Sequence, residues 1–204
     1  MMAGCADTAV DGPEVYVVRA EDTLYGIAWR HDLDYRDLAR WNNLGADFRI
    51  AVGQVLILGP GGASPRPGAQ HPSLPRPRVP AAAPGEASKW VWPTARLGDA
   101  RAVPGGGILL SGRLGQDVRA AAAGRIVYTG SGLRGYGNLI IIKHADSLLS
   151  AYAHNREMLV RDGQEVAMGE VIAHMGQGAH ELPVLYFEIR QNGRPVDPLP
   201  FLPR

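Results

Sequence analysis

The chain has 204 residues, 46% apolar and 20% charged, with a formal net charge of +1. That is room for one large domain or two small ones, and the near-neutral balance gives no reason to expect nucleic acid as a partner. No apolar run approaches the roughly 18 residues of a membrane-spanning helix, the single cysteine excludes an internal disulfide, and 26 glycines with 16 prolines call for turns, short strands and linker.

In chain order, Met2-Ala3-Gly4-Cys5 comes first and resembles the end of a bacterial lipoprotein signal, whose cysteine is acylated after cleavage. Either the charged and apolar parts of that signal precede the given start, which makes Cys5 the lipidation site, or Cys5 is an incidental thiol. Residues 1–13 are otherwise a flexible tail.

Periodic structure begins at residue 14. Glu14-Val15-Tyr16-Val17-Val18-Arg19 is a strand rich in β-branched residues. Asp22 or Thr23 can cap a helix, on which Leu24, Ile27, Ala28 and His31 fall at i, i+3, i+4 and i+7. Asp34 opens a second helix with Leu38, Ala39 and Trp41 inward, and Val52-Gly53-Gln54 turns into the closing strand Val55-Leu56-Ile57-Leu58.

The order is β-α-α-β over residues 14–59. Residues 18–28 (Val-Arg-Ala-Glu-Asp-Thr-Leu-Tyr-Gly-Ile-Ala), 38–44 (Leu-Ala-Arg-Trp-Asn-Asn-Leu), Ile50 and 52–56 make it resemble a LysM domain. The resemblance implies binding to the N-acetylglucosamine-containing glycan of peptidoglycan or chitin. The family's shallow groove lies between the loop after the first strand and the loop after the second helix, which implicates Asp22, Thr23, Leu24, Asn42 and Ile50. Residue by residue, the alternative roles are helix cap for Asp22 and Thr23 and core for Ile50.

Residues 60–89 hold eight of the sixteen prolines with glycine and alanine between them. Such a segment cannot bury enough apolar surface to offset its ordering entropy and reads as a semi-rigid linker.

Residues 90–204 read as short strands over 124–130, 138–144, 148–154, 170–174 and 184–190, divided by glycine turns. That pattern predicts a sandwich or open barrel. On the last strand, alternation sends Leu185, Phe187 and Ile189 into a core and puts Val184, Tyr186 and Glu188 on the other face.

From Trp92-Pro93 to Asp197-Pro198-Leu199 the segment resembles the lysostaphin/LytM-type zinc peptidases. Gly115-Gln116-Asp117-Val118-Arg119-Ala120, Arg134-Gly135-Tyr136-Gly137-Asn138, Ala151-Tyr152-Ala153-His154-Asn155 and Pro195-Val196-Asp197-Pro198 are close matches. The strand at 184–190 matches the family's His-Leu-His-Phe-Glu-Ile-Arg, with valine and tyrosine in place of the two histidines. Active members hold Zn²⁺ through a His and an Asp four residues apart and through the second His of the His-x-His pair. Those positions are here Gly105, Leu109 and Tyr186. Zinc needs nitrogen, oxygen or sulfur donors; glycine and leucine have none, and a neutral phenol is a poor one. His154 alone remains of the family's catalytic set, with a groove histidine as its default role; His144, His174 and His180 match no known ligand spacing.

The resemblance therefore implies no cofactor, no metal and no catalytic residue. It leaves a groove lined by Leu109, Val184, Tyr186 and His154, with Arg134, Tyr136 and Tyr152 at its rim. An apolar–aromatic groove suits the side chains of a protein partner such as an amphipathic helix. LysM, linker and degenerate LytM module in this order resemble the NlpD-like activators of peptidoglycan amidases. That family implies a cell-envelope, periplasmic location, an outer-membrane lipid anchor at Cys5, and activation of an N-acetylmuramoyl-L-alanine amidase in septal wall splitting. Two other readings stay open: a zinc endopeptidase with unorthodox ligands, and a passive wall-binding protein.

Overall fold

The computed structural model describes residues 14–60, 90–95, 98–145, 147–178 and 181–204. Cys5 with the rest of the expected tail, the body of the expected linker, and His180 lie outside the described residues.

The first module is β1 (Val15–Val17), α1 (Leu24–Arg30), α2 (Tyr35–Trp41) and β2 (Val55–Ile57). β1 and β2 are antiparallel, with Tyr16 opposite Leu56. Each helix is only seven residues long, too short to hold itself in water, so caps and packing define it. Thr23 Oγ1 accepts the Gly26 N–H at 3.0 Å, and Asp34 Oδ1 accepts the Arg36 N–H at 2.7 Å. Each bond satisfies one of the amides a helix start leaves free.

The second module is mainly β, in line with the sequence. Its strands are β3 (Arg101–Ala102), β4 (Ile108–Ser111), β5 (Asp117–Arg119), β6 (Gly124–Gly130), β7 (Asn138–Lys143), β8 (Leu148–Met158), β9 (Glu165–Val166), β10 (Val171–Met175), β11 (Val184–Gln191) and β12 (Arg194–Val196). They pair antiparallel in the order β3-β4-β11-β8-β7-β6-β9, with β12 added to β11 and β10 bridging β8 and β5. The register places Tyr186 opposite both Leu109 and Ala153, and Phe187 opposite Ile108 and Tyr152.

The two faces of this sheet have different occupants. Leu185, Phe187, Ile189, Tyr152, Ile140 and Ile142 fill an inner core that Trp90 helps to close. Leu139, Ile141, Leu149, Ala151, Ala153 and Tyr128 lie on the other face, in one apolar cluster with Leu24, Ile27, Trp29 and Tyr35 of the first module. The helices of the first module thus sit on the sheet of the second. Gly26 permits the approach: a β-carbon there would be 2.9 Å from the Tyr128 ring.

Tyr152 corrects the expectation that placed it at a groove rim. It is fully buried in the inner core, and its hydroxyl accepts the Ala121 N–H at 2.9 Å. Two-residue alternation would put Tyr152 and His154 on one face of the strand, but His154 has φ +64°. A left-handed residue breaks the two-residue alternation of a strand, and turns the His154 ring toward Tyr186 instead.

Candidate recognition groove

Three consecutive glycines with positive φ, Gly105, Gly106 and Gly107, lead into β4. At Gly107 the conformation and the space both exclude a side chain: a β-carbon would lie 2.9 Å from the Tyr186 ring and from the Phe187 carbonyl. The Tyr186 phenol lies in the room this leaves. Its hydroxyl donates to Glu188 Oε2 at 2.5 Å and is 2.9 Å from the Gly106 carbonyl oxygen. Glu188 in turn accepts from Arg190 Nε at 2.6 Å. Tyr186, Glu188 and Arg190 alternate along β11, so all three belong to the outer face of the sheet.

Electrostatics follow from this packing. Burial pushes the Tyr186 phenol well above its usual value, and the bond to Glu188 adds to the rise. Burial also raises the Glu188 carboxyl, opposed by the adjacent Arg190 guanidinium. The His154 imidazole is half-buried and desolvation lowers its pKa, which favours the neutral ring at neutral pH.

The side chains named from the sequence sort into two sets. Leu109 faces Tyr186 across the strands, Tyr136 packs edge-on against it at 5.5 Å between centroids, and the His154 ring stands 6.4 Å away. Val184 and His154 both flank Gly178, whose β-carbon would meet Val184 at 2.6 Å and His154 at 3.4 Å. These five form one half-buried, apolar–aromatic surface. Arg134 is exposed in the loop that carries Tyr136, and Tyr152 is absent from the groove for the reason given above.

Zinc does not fit the residues present. Gly105 and Leu109 supply no donor, and the Tyr186 hydroxyl is a neutral phenol committed to Glu188. Among the described residues no group of three or more His, Cys, Asp and Glu side chains is placed to hold a metal ion.

In the first module, the residues expected to contact sugar are largely spent on the fold. Leu24 is 1% exposed and corrects the expectation of a glycan contact: it anchors α1 in the core. The Asn42 side-chain amide donates to the Leu38 and Ile57 carbonyls and accepts the Ile57 N–H, at 2.7–2.8 Å. That ties the end of α2 to β2 and leaves no Asn42 amide proton for a ligand. Thr23 is the α1 cap, and Ile50 packs half-buried on the shared core. Asp22 accepts from the Arg19 N–H and the Tyr16 hydroxyl, both at 2.8 Å, beside Arg30 at 3.5 Å.

The sequence puts Glu188 on the groove face without giving it a role, and Arg190 and Gly107 were not named for the groove at all. The available signal was two charges, Glu188 and Arg190, on the outer face of a strand whose inner face is wholly apolar.

The family model of the LysM domain matches residues 16–59, and that of peptidase family M23 matches residues 104–198. The lipoprotein NlpD/LppB homologue of Pseudomonas aeruginosa is 39% identical, over 93% of this chain and 77% of its own length. The chain belongs to the NlpD/LppB family. The murein hydrolase activator NlpD of Salmonella typhimurium is 36% identical, over 95% of this chain and 69% of its own. This chain thus carries an M23 domain while its relatives have names that denote a lipoprotein or an activator rather than an enzyme. A peptidase M23 of known structure from Pseudomonas aeruginosa superposes with a TM-score of 0.50 at 24% identity, covering 55% of this chain and 49% of that one. That likeness shows the fold alone.

Proposed function

We propose that this chain is a non-catalytic cell-envelope protein that holds peptidoglycan through its LysM module and activates an N-acetylmuramoyl-L-alanine amidase through the groove around Tyr186, in septal wall splitting. The observation that carries this reading is the Tyr186 phenol: it lies where relatives of the fold need a metal ligand, bonded to Glu188 and packed on Gly107, with Leu109, Val184, Tyr136 and His154 around it. Such a surface is half-buried and centred on two tyrosines, a residue type enriched in protein-binding hot spots. Activation requires only that the groove bind the open state of the amidase better than the closed one. An anchor at Cys5 in the outer membrane completes the reading, supported by relatives named as lipoproteins, among them an outer membrane antigenic lipoprotein B of Histophilus somni.

On the wall-binding side, the side chains of Leu24, Asn42 and Thr23 are taken up by the fold. Sugar contacts then fall to backbone groups of the loops at 19–23 and 42–54, with Asp22 and Ile50 at their edge. The test is affinity for a purified amidase. We expect the double variant Tyr186→Ala, Leu109→Asp to lose binding by at least tenfold while still sedimenting with peptidoglycan. Unchanged affinity would remove the groove from the mechanism.

A further inference from the structure

A line of polar contacts joins the LysM module to the groove. Arg190 leaves β11 on the outer face of the sheet, four residues beyond Tyr186, and is 4% exposed. Its Nε donates to Glu188 Oε1 at 2.6 Å, and Glu188 accepts the Tyr186 hydroxyl at 2.5 Å. Among the described residues, the other hydrogen-bond, ion-pair and ring contacts of the guanidinium are with the first module. It donates to the Trp29 carbonyl at 3.1 Å, stands 3.1 Å from Asp32 Oδ1, and lies over the Trp29 ring at 3.8 Å. Asp32, Arg190, Glu188 and Tyr186 therefore form one continuous chain from the end of α1 to the groove.

Further contacts fix the seat of the LysM module. A β-carbon on Gly193 would meet the Asp34 nitrogen at 2.5 Å, so the β11–β12 turn lies directly against the start of α2. Lys143 Nζ is 5.3–5.8 Å from the ring centres of Tyr25, Tyr35 and Phe48.

We propose that the seated LysM module positions the groove phenol through Arg190 and Glu188, which makes Asp32 and Trp29 positioning residues of a site in the other module. The proposal deepens the groove reading and rests on it for its functional consequence. The physical basis is that charge-assisted bonds in series orient and polarise one another. Arg190 meets Glu188, Asp32 and the Trp29 carbonyl with a planar fork of donors. Without Asp32 and Trp29 it gains water and rotameric freedom, the Glu188 carboxylate loses its fixed orientation, and the Tyr186 hydroxyl loses a defined acceptor. The groove is thus ordered when the wall-binding module is in place, a coupling between sites in the thermodynamic sense.

The test uses the full chain labelled with 3-fluorotyrosine, which gives seven tyrosine signals, that of Tyr186 being identified by its loss in Tyr186→Phe. Asp32 has φ +53° and a side chain 77% exposed, so Asp32→Gly removes the carboxylate without straining the backbone. We expect this variant to keep its melting temperature and its binding to peptidoglycan, to shift the Tyr186 fluorine signal, and to bind amidase about fivefold more weakly, the lower end of ordinary coupling. The loss in affinity should vanish in a Tyr186→Phe background. Arg190→Lys should move the same signal, because a lysine cannot serve all three partners. An unmoved Tyr186 signal in Asp32→Gly, or the same loss of affinity with and without the Tyr186 hydroxyl, would overturn the proposal. Failure of the wild-type chain to bind amidase would instead remove the groove reading, and the fluorine signal would still report whether the two modules are linked.

Discussion

At the scale of single residues, the groove depends on one side chain and one missing one. Gly107→Ala puts a β-carbon against Tyr186 at φ +88°, whereas Gly115→Ala, at φ +79°, meets nothing within 4 Å. Both variants bear the conformational cost of about 1 kcal/mol, and only Gly107→Ala adds a clash. We expect thermal unfolding to show a further loss of about 1–3 kcal/mol for Gly107→Ala, together with weakened amidase binding; equal effects of the two substitutions would mean that Tyr186 does not lie against Gly107. His144 gives a second prediction. It is buried between the Ala123 carbonyl at 2.8 Å and Ser150 Oγ at 2.7 Å, and burial lowers its pKa to about 4. An unfolded histidine near 6.5 takes up its proton first as pH falls, so this contribution to stability is complete above pH 6.5 and is lost between 6.5 and about 4. The loss should reach about 3 kcal/mol, measured by denaturant unfolding at several pH values and flattened in His144→Gln. From the sequence, strand alternation put Val184 and Tyr186 on one face, and the family resemblance brought Leu109 and Tyr136 to them. Tyr152 could not be placed this way, because one left-handed residue at His154 resets the alternation and nothing in the composition marks it.

At the scale of elements, caps and short strands hold the LysM module. Thr23→Ala should cost about 1 kcal/mol by freeing the first amides of α1. Asn42→Ala should cost about 2–3 kcal/mol, since two hydrogen bonds from the end of α2 to β2 and one back to Leu38 of α2 go with one side chain. Thermal unfolding of the two variants ranks them, and a reversed order would mean that Asn42 is not the tie. Both helices were legible in the sequence from apolar spacing and from cap candidates at Asp22 or Thr23 and at Asp34, of which the structure uses Thr23 and Asp34. The reach of β8 was not. The sequence reading ends it at His154, whereas it runs on to Met158 and changes neighbour, pairing Asn155, Glu157 and Met158 with β10. A strand that switches partners carries two patterns in succession, and the apolar alternation of the first says nothing about the second.

At the scale of the molecule, the two modules share one core, which a proline-rich connection between residues 60 and 90 gave no cause to expect. The signal was present in α1, where Gly26, Ile27, Ala28 and Trp29 are all buried. A helix apolar on every side has two neighbours: Leu24, Ile27 and Ala28 fall on one stripe and α1 packs on α2 of its own module, while Gly26 and Trp29 meet the second module. Calorimetry should therefore show one cooperative transition, and Trp29→Ala should lower it by about 3–5 kcal/mol. Two separate transitions would mean that the modules fold apart. The most direct test of a groove that recognises without hydrolysing is dye release from labelled peptidoglycan, with a purified amidase and this chain added separately and together. We expect no release by the chain alone, even with zinc supplied, and strong stimulation of the amidase that disappears with Tyr186→Ala, Leu109→Asp. Zinc-dependent release by the chain alone, or undiminished stimulation by that variant, would contradict it.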